Sequence, residues 1–144
     1  MEKAYLTVDF QELDHLIMQL DVLSDIKKYC ISLSPYESGG LVLNNKQIIY
    51  CDSKYKDTHN FYPDDVFYLY LRRPENISFS FHSHPDSLDP SDNDIFFIKN
   101  YDIPLIIYSL KLNTFSSVNI KNEETIITRF VEEAGLWKLD DKSW

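Results

Sequence analysis

The chain has 144 residues, 44% of them hydrophobic and 15% aromatic, and a formal net charge of -9. That length and composition suit one globular domain, residues 1–144, whose core needs no disulfide or metal as a staple. The charge argues against non-specific nucleic-acid binding and against docking on an anionic membrane, since both depend on clustered Lys and Arg. No apolar run reaches membrane-spanning length, and no signal-peptide core follows Met1. Two cysteines, Cys30 and Cys51, make no disulfide framework, so the expected setting is reducing and cytoplasmic.

In chain order, Ala4–Val8 reads as a short edge strand. From Phe10 to Leu33 the pattern is helical, with Leu13, Leu16, Ile17 and Leu20 at spacings of three and four. Ser24 is a candidate cap for a second helical segment that turns Ile26, Tyr29, Cys30 and Leu33 inward, and Ser34-Pro35 ends it. Tyr36-Glu-Ser-Gly-Gly40 leads into a strand at Leu41–Leu43, Asn44-Asn45 makes a hairpin turn, and Gln47–Cys51 returns. Residues 52–63 are polar and loop-like. Asp64-Asp65 opens a short helix through Arg72 with Val66, Leu69 and Tyr70 as its inner face. Ile77–His82 reads as the central strand, residues 85–90 as a loop, and Pro90-Ser91 as the start of a helix to about Asn100. Strands follow at Pro104–Leu110, Phe115–Ile120 and Thr125–Val131, the first two as a hairpin; the charged tail from Glu132 carries no clear element. Hairpins combined with a βα step predict an α/β or α+β fold, a mixed sheet flanked by helices.

The chemistry concentrates between Phe79 and Asp94. Strand alternation puts Phe79 and Phe81 on the core face and Ser80, His82 and His84 together on the other, and Pro85 stops the strand. Two imidazoles side by side suit a divalent metal such as zinc, which in hydrolytic sites takes three protein ligands and keeps a position for water. Alone, the pair also reads as polar residues at a sheet edge. Candidates for a third donor are Asp86, Asp89, Asp92 and Asp94. Ser91-Asp-Asn-Asp94 is at the same time a capping box before Ile95–Ile98, a role open to Asp94 only if its carboxylate is free of metal. Glu37 reads either as an exposed loop acid or, beside a metal-bound water, as a general base. His15 and His59 lack companions at ligand spacing, and Cys51 reads as a buried strand thiol. Tyr50, Tyr55, Tyr62, Tyr68 and Tyr70 read mostly as packing residues, a few of them available to a protein partner.

Taken in order, Pro35-x-Glu37-x-x-Gly40, His82-Ser-His84-Pro85 and Ser91-x-x-Asp94 resemble the JAMM family of zinc metallopeptidases, the JAB/MPN domain, over about residues 25–120. The resemblance implies a mixed sheet between helices, similar to the cytidine deaminase fold. It also implies one catalytic Zn2+ held by His82, His84 and Asp94, with Glu37 as general base and Ser91 as donor to the oxyanion. The implied activity is peptidase or isopeptidase cleavage after the carboxyl-terminal tail of a ubiquitin-like protein, from a conjugate or a precursor. Compact members of the family also include phage tail-assembly peptidases, so a phage tail protein is the alternative partner, in a bacterial or infected host cell. Members that have lost ligands act as binding modules, whereas every motif position is filled here. The loop from His84 to Ser91 is one residue shorter than the common family spacing, which puts the reach of Asp94 in question. A deaminase on the related fold would need a Pro-Cys-x-x-Cys pair, which the sequence lacks.

Overall fold

The computed structural model describes residues 22–51, 56–57, 60–61, 63–133 and 136–139. The expected edge strand at 4–8, the helical stretch before residue 22, His15, His59, Tyr55, Tyr62 and the last five residues lie outside the described ones.

Seven strands form one mixed sheet: β1 (Gly39–Leu43), β2 (Ile48–Cys51), β3 (Ile77–His84), β4 (Leu105–Ser109), β5 (Thr114–Lys121), β6 (Glu124–Glu133) and β7 (Leu136–Leu139). Their order is β2-β1-β3-β4-β5-β6-β7. Neighbours run antiparallel except β3 and β4, which are parallel and joined through a helix. Among the described residues the helices are α1 (22–32), α2 (Asp65–Tyr70) and α3 (Asp92–Tyr101), with a 3-10 turn at Pro74–Asn76. The fold is mixed α+β.

Because strand side chains alternate, each face of the sheet carries its own apolar set. On one face Leu23, Ile26 and Cys30 of α1 pack against Val42, Phe79, Phe81, Ile106 and Tyr108. On the other, Phe67 and Leu71 from the α2 segment cover Leu41, Ile49 and Ile77, while Ile98 of α3 covers Leu105 and Ile107. All five residues of β4 are buried, as a strand between two helical layers requires. Each large apolar side chain fully buried in this way contributes about 1.5–3 kcal/mol.

Local chemistry sets the joints. Asp64 caps α2, its Oδ1 accepting from the Phe67 N–H at 3.1 Å. Asn122 and Glu123 both hold positive φ, 50° and 68°, the primed two-residue turn that matches strand twist in the β5–β6 hairpin.

Four expectations are corrected. Ser24 does not cap a helix: it lies inside α1, and its Oγ accepts from Trp137 Nε1 at 3.2 Å. Leu33 lies just past the end of α1 and is exposed. The inner face of α2 is Phe67, followed by Leu71, whereas Val66 and Leu69 are 44% and 57% exposed. Every residue from Val66 to Leu71 is apolar or aromatic, so periodicity could not choose a face; the Phe67 ring wins by packing against Phe61 and Phe97. Finally, the tail supplies β7, where Trp137 stands edge-on to Phe115 at 4.9 Å. None of the described helices is long and apolar enough to cross a membrane.

Candidate metal centre

The site forms where three segments meet at the carboxyl end of β3. The strand continues through both histidines, two residues beyond its expected end, because His82, Ser83 and His84 pair with Ile107, Tyr108 and Ser109 of β4. Phe79 and Phe81 point into the α1 layer, so His82 and His84 turn toward α3. Their rings stack with centroids 4.9 Å apart, and their Nε2 atoms lie 3.0 Å from each other.

Asp94 arrives from the first turn of α3 and is 7% exposed. Its Oδ1 lies 3.2 Å from His82 Nε2 and its Oδ2 3.3 Å from His84 Nε2. The short loop therefore does reach. Asp86, Asp89 and Asp92 stay exposed and outside the group. The capping box also forms: Ser91 N–H donates to Asp94 Oδ2 at 2.8 Å, and Asp94 N–H donates to Ser91 Oγ at 3.1 Å. With the cap formed, Oδ1 points toward His82 and Oδ2 serves the cap and faces His84.

Among the described residues, His82, His84 and Asp94 are the group that could hold a metal ion. The fit can be judged from their spacing. The two imidazole nitrogens lie 3.0 Å apart and each faces a different oxygen of Asp94, at 3.2 and 3.3 Å. One donor atom from each residue lies within 4.8 Å of the others, a spacing that a small divalent ion such as zinc could bridge. Burial works to raise the pKa of Asp94, but hydrogen bonds from both histidines outweigh it and hold the carboxyl well below the usual range.

Glu37 immediately precedes this end of β1, and β1 runs antiparallel to β3, with Gly39 opposite His82. Far from being an exposed loop acid, it is 4% exposed and lines the same cleft. Its N–H donates to the Asp57 carbonyl at 2.8 Å. Burial raises its pKa from 4.5 to about 7; the charge of His84 pulls it back, while those of Asp94 and Asp57 push it up. Ser91 sits at the rim with its hydroxyl accepting the cap bond, which leaves the O–H free to donate.

The cleft holds about 520 Å3 and is also walled by Asn60 and Phe61, two residues to which the sequence reading gave no role in the site. The Phe61 ring lies 6.2 Å from that of His82. It occupies space that only glycine leaves at position 39, where a Cβ would come within 2.7 Å of the ring. The only sequence signal was an aromatic in an otherwise polar loop that also holds Tyr55 and Tyr62, and nothing in the sequence ties that loop to Gly39-Gly40. A scan against protein-family models finds no match, and neither does a search of curated proteins.

Proposed function

We propose that the chain is a JAMM-type zinc metallopeptidase with the JAB/MPN fold, hydrolysing an amide bond after the carboxyl-terminal tail of a ubiquitin-like protein. The observation that carries this reading is the close triangle of two imidazoles and one carboxylate sharing a cleft with the buried Glu37. Two nitrogens and one oxygen suit zinc by donor type and leave a position for water, the pattern of hydrolytic rather than structural sites. His82, His84 and Asp94 would hold the zinc, which would supply Lewis-acid chemistry for water activation and carbonyl polarisation.

The remaining work belongs to the side chains. Glu37 takes a proton from the attacking water onto its carboxylate. It then delivers that proton to the amide nitrogen as the C–N bond breaks, so the products are a carboxylate and an amine. A pKa near 7 suits a group that must accept and release one proton in each cycle at neutral pH. The Ser91 hydroxyl donates to the oxygen that gains charge when water adds.

Burial of Glu37 also favours catalysis over a ligand-binding scaffold, because an acid withdrawn from water costs stability that a docking module has no reason to bear. A phage tail protein is the alternative substrate, which the sequence resemblance admits as well. The cytoplasmic setting is part of the same proposal, in keeping with two buried cysteines, Cys30 and Cys51, that form no disulfide. The test is to incubate the zinc-loaded protein with ubiquitin-like precursors bearing carboxyl-terminal extensions and with phage tail-tip proteins, reading products by mass spectrometry. Cleavage that disappears with a chelator and in Glu37→Gln is the expected result. Cleavage that survives both overturns the mechanism.

A further inference from the structure

We propose that Ser83, the residue between the two histidines, is the positioning residue for Glu37; this rests on the reading of Glu37 as the base. The register of β1 on β3 runs from Val42 opposite Phe79 to Gly39 opposite His82. Carried past the end of β1, it sets Ser38 opposite Ser83 and Glu37 opposite His84. A hydrogen-bonded antiparallel pair exchanges two bonds, each N–H to the other residue's carbonyl. Half of that exchange is present, since Ser83 N–H donates to the Ser38 carbonyl at 2.9 Å. The other half is altered: Ser38 N–H donates to Ser83 Oγ at 3.0 Å. A side-chain hydroxyl stands where a backbone acceptor belongs.

Both serines are 0% exposed, so water cannot replace that acceptor. Glu37 is the next residue, and its own N–H is held by the Asp57 carbonyl on the other side. The backbone that carries the carboxylate is thus fixed at two points, and Ser83 Oγ is the one supplied by a side chain. Ser83 faces the α1 layer, away from His82 and His84, so it acts through Glu37 without touching substrate. A buried carboxylate gains hydration by moving outward, and the Ser38–Ser83 pair opposes that movement.

The test is a double-mutant cycle on the full chain without metal at pH 8, reading urea midpoints of wild type, E37Q, S83A and the double variant. E37Q removes a buried charge and raises the midpoint of the wild type. With Ser83 holding Glu37 inside, S83A releases the carboxylate to water, and E37Q then raises the midpoint by less than half as much. Equal shifts in the two backgrounds overturn the inference. In parallel, S83A is expected to keep its zinc equivalent; loss of zinc would mean that Ser83 holds the histidines instead, and would overturn it too. If S83A fails to fold, S83V, which also removes the acceptor and suits a strand, replaces it in the cycle with the same criteria. The cycle needs neither metal nor substrate. An additive result therefore removes the role of Ser83 and leaves the peptidase reading intact, whereas a wild type that neither binds zinc nor cleaves removes that reading alone.

Discussion

Glu37 and Ser91 show how single side chains divide stability and chemistry. Burial makes the folded protein hold the Glu37 proton more tightly than the unfolded chain does, with a pKa of about 7 against 4.5. Its stabilising contribution is therefore full below pH 4.5 and is lost as pH rises through about 7. Glu37→Gln is insensitive to this change, so without metal the variant gains on wild type across that window, reaching on the order of 1–3 kcal/mol at pH 8. Thermal melts of both proteins from pH 4 to pH 8 check it; parallel curves would contradict it. In the proposed mechanism the same carboxylate must be ionised, so activity is expected to fall on the acid side. Ser91→Ala loses a helix cap, costing about 1 kcal/mol, and, in the same mechanism, an oxyanion donor, with an expected drop in turnover of about 10²–10³-fold. Metal analysis and kinetics on the variant should give retained zinc with lost rate.

At the level of elements, α3 and β3 were legible because their signals are local. Ser91 with Asp94 marks a helix start, Phe79 and Phe81 mark the core face, and both features appear where expected. What the sequence could not show was that the capping carboxylate also faces both imidazoles, since this depends on how Oδ1 and Oδ2 divide between α3 and β3. Nor could it place Phe61, whose position follows from packing on Gly39 across a long loop. The face of α2 was misjudged because six apolar or aromatic residues in a row carry no periodic contrast. Substitution discriminates the two faces: Phe67→Ala is expected to cost about 3–5 kcal/mol, and Val66→Ala, at an exposed position, within about 0.5 kcal/mol. Urea unfolding of the pair gives the answer, and equal losses would restore the face centred on Val66.

For the whole molecule, one parallel pair within an otherwise antiparallel sheet accounts for where the site lies. The crossover β3–α3–β4 returns a helix amino terminus to the end of β3, and antiparallel β1 brings its own start to that same end. Two histidines, an aspartate and a glutamate far apart in sequence therefore converge without any segment being built for the site alone. Zinc that binds only the folded chain stabilises it by mass action, about 2.7 kcal/mol at a hundredfold excess over Kd. The most direct measurement is zinc stoichiometry by equilibrium dialysis of wild type, Asp94→Ala and Asp92→Ala. The predicted result is one equivalent bound by wild type and Asp92→Ala and none by Asp94→Ala. Absence of zinc from the wild type, or equal binding by Asp94→Ala, would contradict the metal centre on which the proposed function stands.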